Sequence, residues 1–381
     1  MRSIIYLIGM LALGATAALA AEPVQDVIKI GMVNDQSGPT KGSGRGMKIG
    51  VHAYFKAINE KGGVNGRKVE LLVMDDRYNP DHTVDGLLKL IEQQKIFALV
   101  GTVGTSSGVS IIPIVKEYKL PFVAPRSGAS NFRTPVIHEL FNIRASHQEE
   151  VDKLVDTLVK QGGAKRIAYF YQNDTFGLDV LACTENALKR HGLTLTAKGS
   201  HERGTEAVAA ALAAILTAGV PDAIVMGSSY APVAEFVKVA RKEGLKSYLA
   251  TGSFASGSNM LKRAGSAADG VLMSQVVPHL QDLSLPLTGE CKEAIDKNPE
   301  EMGFDTVTME GCMAAKSMIM ALEKAGNPPT QEGFIKAYET MKDADMGGVK
   351  LNFSPQNHQG QSNVYLEIVR DGKLAPFTSF K

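Results

Sequence analysis

Gly104-Thr105-Ser106-Ser107-Gly108 sets a serine at the centre of a Gly-x-Ser-x-Gly frame, between an apolar run and an amphipathic one. In that context a strained strand-to-helix turn can present a nucleophile. Acyl chemistry at Ser106 also requires a carboxylate and then a histidine further along the chain, with an upstream loop of amide donors. His201, His279 and His358 are available, but none carries a cue of its own. The same loop suits simpler chemistry. Backbone N–H groups at a helix start, helped by the hydroxyls of Thr105 and Ser106, bind a carboxylate without turning it over. Binding is the expected use, with a secreted serine hydrolase acting through Ser106 as the alternative.

Other candidate chemistry is weaker. Gly42, Gly44, Gly46 and Gly50 invite a dinucleotide reading, but Met47 falls where the third glycine of Gly-x-Gly-x-x-Gly belongs, so a tight turn onto a helix is expected and no cofactor. Asp75-Asp76 and Asp81-His82 match no ligand loop and read as turn and capping residues, so no metal is expected. The eight histidines show no ligand spacing. Phe176 and Tyr230 stand at predicted helix starts, where an aromatic either walls a ligand or packs. Arg126 follows a strand in a loop of small residues, and reads either as a partner for a ligand carboxylate or as an exposed charge at a cleft rim.

The elements that position these residues begin after an export signal. Met1-Arg2-Ser3 leads an apolar stretch from Ile4 to Leu19, and Ala18-Leu19-Ala20 offers a cleavage site after Ala20 or Ala21. The apolar stretch is too short to be a convincing membrane span. The expected product is periplasmic. Loss of Arg2 takes the formal charge from +1 to zero, which points to neither nucleic acid nor an anionic membrane. The roughly 360 residues that remain exceed what one core supports, so two domains are expected. Of Cys183, Cys291 and Cys312, the last two can bridge, or all three can be buried thiols.

From Val27 onward short Val/Ile/Leu runs alternate with amphipathic stretches, the pattern of parallel sheets covered on both faces. Strands are expected at Ile28–Val33, Val69–Met74, Phe97–Gly101 and Pro121–Ala124, with helices at Gly46–Lys61, Asp81–Gln94 and Gly108–Tyr118. The series restarts after Asn142-Ile143-Arg144. A helix at Gln148–Lys160 leads to strands at Arg166–Tyr171, Leu193–Gly199, Ala223–Met226 and Ser247–Thr251, with helices at Phe176–His191, Thr205–Ala218 and Pro232–Glu243 between them. A strand at Gly270–Val277, three helices to about Asp343, and strands at Val349–Phe353 and Val364–Arg370 follow. The fold class is α/β: two doubly wound, Rossmann-like lobes with a ligand cleft at facing strand ends.

Several phrases carry a family resemblance: Gln36-Ser37-Gly38-Pro39, Ile58-Asn59-Glu60-Lys61-Gly62-Gly63-Val64-Asn65-Gly66-Arg67, Asp75-Asp76 with Asn79-Pro80, Val100-Gly101 with Gly104-Thr105, Asn142-Ile143-Arg144-Ala145-Ser146, and Phe176-Gly177. Across nearly the whole chain after the leader the sequence resembles type I periplasmic solute-binding proteins of the leucine/isoleucine/valine-binding group, which serve ABC importers. The resemblance implies three hinge crossovers, with residues 27–144 plus 278–346 in one lobe and 145–277 plus 347–381 in the other. It implies a monomer that captures a small molecule by hinge closure and delivers it to an inner-membrane permease; a periplasmic sensor on the same fold is the variant reading. By position, Thr105 and the amides around Ser106 correspond to carboxylate contacts. Arg126, Ser127 and Gly128 correspond to a second contact loop, Ser43 to an aromatic wall, Phe176 to a cleft tyrosine, and Ser229 or Tyr230 to another contact. Where amino-acid binders hold an ammonium with a carboxylate this chain has Ser253, and no Asp or Glu lies within 252–257. A buried, unpaired ammonium costs several kcal/mol, so a carboxylate or neutral polar ligand is expected over an α-amino acid.

Overall fold

The structure, a computed structural model, describes residues 27–255 and 257–380, so the expected leader and its cleavage site lie outside the described residues. In order, β1 (Ile28–Asn34), α1 (Lys41–Glu60), β2 (Val69–Asp75), α2 (Pro80–Glu92), β3 (Ala98–Val100), α3 (Thr105–Glu117), β4 (Phe122–Val123) and β5 (Leu140–Phe141) build a parallel sheet ordered β2-β1-β3-β4-β5. The chain then restarts. α4 (His147–Lys160), β6 (Ile167–Gln172), α5 (Thr175–Arg190), β7 (Leu195–His201), α6 (Ala209–Thr217), β8 (Ala223–Gly227), α7 (Tyr230–Lys242), β9 (Tyr248–Thr251), α8 (Ser258–Ala264) and β10 (Leu272–Gln275) form the second unit. The remainder is α9 (Pro286–Asp296), α10 (Thr306–Leu322), α11 (Gln331–Glu339), β11 (Ala344–Asp345), β12 (Lys350–Leu351), β13 (Tyr365–Arg370) and β14 (Lys373–Pro376). The second sheet runs β14-β13-β10-β9-β8-β6-β7. Its β13 and β14 are antiparallel additions.

Strand periodicity explains why each sheet is covered on both faces. In β6, Ile167 and Tyr169 enter one core cluster while Ala168 and Phe170 enter another, and in β8 Ala223 and Val225 separate from Ile224 and Met226 in the same way. The first sheet is served by α2 and α3 through Leu87, Leu90, Ile111 and Val115. Its opposite face lies under α1, which packs closely along α10. The two-lobed α/β class read from the sequence is the one observed.

Local differences have physical causes. The turn expected at Gly42–Gly50 lies earlier, where Asp35 accepts from the Thr40 amide at 2.7 Å and the Thr40 hydroxyl at 2.8 Å. The glycines are inside α1, because a Cβ on Gly44 would sit 1.7 Å from the Asp35 carbonyl and one on Gly50 would sit 2.0 Å from the Thr308 carbonyl of α10. Gly44 lets the turn at Asp35 close on α1, and Gly50 lets two helix backbones touch. α3 likewise starts at Thr105, three residues before its expected start, so Ser106 belongs to a helical first turn rather than to a sharp elbow. β5, α8, β11 and β14 are not in the expected series, and the strand expected at Val349–Phe353 is the short β12, paired with β11 in a hairpin. Past that hairpin, Phe353 packs edge-on to Phe141 and His358 stacks on it at 4.2 Å. Gly360 N–H then donates to the Asn142 carbonyl at 2.8 Å. Cys291 of α9 and Cys312 of α10 form a disulfide, and Cys183 is a buried free thiol.

Candidate functional site

Strand order reverses between β1 and β3 in the first sheet and between β6 and β8 in the second. Crevices for ligands open at such points, beyond the carboxyl ends of the strands. The helices that follow these four strands are α1, α3, α5 and α7, and their amino termini meet across the two lobes. Ser106 Oγ in the first turn of α3 donates to Asp174 Oδ2, the cap of α5, at 2.9 Å. The Gly42 amide in the first turn of α1 donates to the hydroxyl of Tyr230, the first residue of α7, at 3.3 Å. Asp174 caps α5 by accepting from the amides of Phe176 and Gly177. The cap residues of α1, α3 and α7 are Thr40, Gly104 and Ser229, and none of them makes a side-chain cap hydrogen bond. Three positive helix ends without a side-chain cap therefore face one crevice, and at α1 the first amides already have acceptors in the Gly38 and Thr40 carbonyls and the Tyr230 hydroxyl.

Behind this convergence lies a charge network that sequence reasoning did not foresee. Arg126 is 1% exposed, so it is not a rim charge. Its Nε lies 3.0 Å from Glu310 Oε2, at an angle too bent for a hydrogen bond, which makes the contact ionic. The two terminal nitrogens donate to the carbonyls of Phe254 (3.3 Å) and Ser253 (3.1 Å) in the other lobe. Glu310 also accepts from Arg144 Nη1 at 2.8 Å, and Arg144 Nη2 reaches Glu150 at 2.9 Å and Ser253 Oγ. Glu150 completes its shell with the Ser253 amide at 2.8 Å and Ser274 Oγ at 2.7 Å. Burial works to raise the Glu150 pKa, yet Arg144, with these hydrogen bonds, holds it below the ordinary carboxylate value. Two guanidinium groups and two carboxylates thus balance within the protein.

At the front of the crevice Arg203 lies over the Tyr78 ring, 3.6 Å from its centroid, and donates to the Tyr78 carbonyl and to Asp174. Gln172 Nε2 donates to the Tyr78 hydroxyl at 3.1 Å. Tyr78 is held by a turn in which buried Asp76 accepts from its amide at 2.8 Å and from Thr83 Oγ1 at 2.9 Å. Burial, the largest cause, raises Asp76 to about 6 despite those hydrogen bonds. A raised carboxyl pKa means that the folded protein holds this proton more tightly than the unfolded chain. The associated stability is fully present below the unfolded value near 4 and is lost as pH rises through about 6. Asp76→Asn is therefore expected to raise the melting temperature at pH 8 and leave it nearly unchanged at pH 4. A scan at both pH values checks this, and equal shifts at both would contradict it.

The residues singled out in the sequence are distributed as follows. Thr105 Oγ1 and Ser127 Oγ share a hydrogen bond of 2.7 Å, and Ser43 Oγ lies 3.5 Å from Arg126 Nη1. Ser43, Thr105, Ser106, Arg126, Ser127, Tyr230 and Ser253 thus belong to one connected patch. The Gly128 amide turns instead to His147 Nε2 at 3.0 Å, whose Nδ1 meets Asp179 at 2.7 Å. An amide can only donate, so Nε2 accepts and Nδ1 carries the proton given to Asp179. Phe176 is buried between the rings of His147 and Phe254, with centroids at 5.3 and 4.7 Å. Ser229 is buried at the start of α7. Among the described residues the hydrogen-bond partner given for the Ser106 hydroxyl is the Asp174 carboxylate rather than the imidazole of a Ser–His pair. The residues missed were Glu310, Glu150, Tyr78, Gln172 and Arg203. For Glu310 one signal was present, a carboxylate in an otherwise mostly apolar helix.

Residues 27–373 match the family described as "Periplasmic binding protein", and the chain belongs to that family. It is a type I periplasmic binding protein of the leucine/isoleucine/valine-binding group, whose members are binding proteins rather than enzymes. Leu/Ile/Val-binding protein homolog 3 of Brucella melitensis is 20% identical over 97% of this chain and 98% of its own length. A possible leucine/isoleucine/valine-binding protein from Rhodopirellula baltica superposes with a TM-score of 0.89 at 28% identity, covering 94% of this chain and 98% of that one. A fatty acid ABC transporter substrate-binding protein from Thermomonospora curvata shares the fold, with a TM-score of 0.83 at 21% identity over 92% of this chain and 91% of its own.

Proposed function

We propose that the chain is the periplasmic solute receptor of an ABC importer, and that it holds one small polar solute between its lobes and presents it to an inner-membrane permease. The observation that carries this reading is the meeting of four helix amino termini from two lobes, three of them without a side-chain cap. Such a crevice offers oriented N–H donors and positive helix ends, and suits the anionic or acceptor end of a ligand. Thr105 with the amides of Ser106 and Ser107 takes that end. Ser43, Ser127 and Tyr230 supply further hydroxyls, and Phe176 backs the wall through Phe254. Residues 142–146, 276–285 and 361–364 connect the two sheets and serve as the crossovers about which the lobes close. Ligand binding favours the closed form, which is the form that docks. The contacts of residues 347–360 with Phe141 and Asn142 support assigning them to the first lobe, which moves the last boundary from 347 to about 361.

The names of the relatives span leucine/isoleucine/valine and fatty acid binders, which have a carboxylate in common. A thermal-shift screen of the purified protein against amino acids, aliphatic and aromatic carboxylates, ureas and amides tests the reading. A ligand bound only by the folded state at about 100 times its Kd stabilises it by about 2.7 kcal/mol. A carboxylate-containing hit is expected. Hydrolysis of ester substrates that disappears in Ser106→Ala would overturn the receptor reading.

A further inference from the structure

We infer that Arg126 selects the ligand by charge, acting as a built-in cation that keeps α-amino acids out of the crevice while admitting carboxylates without an ammonium. This rests on the receptor reading and narrows its ligand class. The argument is an inventory of charge around the crevice. Five carboxylates near Arg126 and the helix starts already have donors within the protein, Asp305 among them through the Ser258 and Val307 amides. Glu310 pairs with Arg126 and Arg144. Glu150 pairs with Arg144 and takes the Ser253 amide and the Ser274 hydroxyl. Asp174 is taken by Arg203, Gln172, Ser106 and the first amides of α5. Asp35 is used by the Thr40 amide and hydroxyl in the turn before α1.

The acceptors on the second lobe that a cation would seek are equally occupied, because the carbonyls of Ser253 and Phe254 receive the two terminal nitrogens of Arg126. Phe254 adds a cation–π contact, with the guanidinium carbon 5.1 Å from its ring centroid. Arg126 thereby crosses from one lobe to the other and fills the place of a cation bound between them. A zwitterion entering with its carboxylate toward α3 would bring a further positive group beside two buried guanidinium groups that already take up Glu150 and Glu310, and an unpaired charge is strongly disfavoured when buried. A carboxylate lacking that group meets the uncapped end of α3 at no such cost. The carboxylate that could serve an ammonium is present, but its partner is internal: Glu310 lies behind Arg126.

The experiment uses pairs of ligands that differ only at the ammonium, each aliphatic and aromatic α-amino acid against its own 2-oxo acid, titrated calorimetrically into the parent protein, Arg126→Ala and Arg126→Lys. In the parent the best-bound 2-oxo acid is expected to exceed its amino acid by about a hundredfold or more, the scale of leaving one buried charge unpaired. Arg126→Ala, which frees Glu310 for an ammonium, is expected to reduce that ratio by at least about tenfold, and Arg126→Lys, which keeps the cation, is expected to preserve it. A parent that binds an amino acid within about tenfold of its oxo acid overturns the inference and leaves the receptor reading standing. An unchanged ratio in a folded Arg126→Ala overturns the role of Arg126. Should that variant fail to fold, Arg126→Met, which keeps most of the side chain's bulk without its charge, is read in its place with the same fall in the ratio expected, and an unchanged ratio overturns the role of Arg126. Binding of no member of any pair overturns the inference, whereas the receptor reading falls only if the wider screen of carboxylates, ureas and amides is empty as well.

Discussion

Glu310→Ala is expected to destabilise the protein by about 3 kcal/mol or more, because it strands Arg126 and Arg144 with a single carboxylate between them at a buried site. A buried ion network is weak evidence of stability in itself, since a well-packed apolar replacement of equal volume performs as well. Breaking it from one side is another matter. Removing one member leaves the unpaired charge with its full desolvation cost. The double change Arg126→Met with Glu310→Leu deletes one charge of each sign and leaves Arg144 with Glu150, so it is expected to cost less than Glu310→Ala alone. Urea midpoints of the three proteins form the check. If Glu310→Ala shifts stability by less than about 0.5 kcal/mol, the network is not the interlobe element described above.

Thr105→Val should leave the fold intact and weaken carboxylate binding by about tenfold to a hundredfold, the worth of one hydrogen bond to a charged group. The substitution keeps the shape of the side chain and removes the hydroxyl that meets Ser127 at 2.7 Å in the first turn of α3. The amides of that turn remain, so binding is reduced rather than abolished. A change confined to affinity, with the melting temperature of the unliganded protein within a few degrees of the parent, is the expected pattern. Equal affinity would place the ligand's charged end elsewhere.

Much of the architecture was legible because its signals are local. Period-two runs such as Ile167 to Phe170 declare strands buried on both faces, and their alternation with amphipathic stretches declares parallel sheets. The loops after β1, β3, β4 and β8 were recognisable as site loops from the same order, and Thr105, Ser106, Arg126 and Tyr230 from their places in those loops. Features set by distant contacts were hidden. The start of α1 was read at Gly46 because glycine is a poor helix former. What requires glycine at Gly46 and Gly50 inside the helix is the close approach of α10, some 260 residues later in the chain. The partner of Arg126 was hidden for the same reason. Arg126 and Glu310 are far apart in sequence, and only the fold brings α10 behind the loop after β4. The short β5 and the β11–β12 hairpin carry too few residues for periodicity to show.

The most direct test of a ligand held between the lobes is calorimetric titration of one carboxylate hit into the parent, Thr105→Val on the first lobe, Tyr230→Phe on the second, and the double variant. Tyr230 lends its hydroxyl to the Gly42 amide across the crevice, so each single change touches the same ligand from opposite sides. One site per chain, weakened by both single changes and more strongly by the double one, is the result predicted here. A ligand whose affinity ignores either lobe would contradict the account, since it would be bound on one lobe alone.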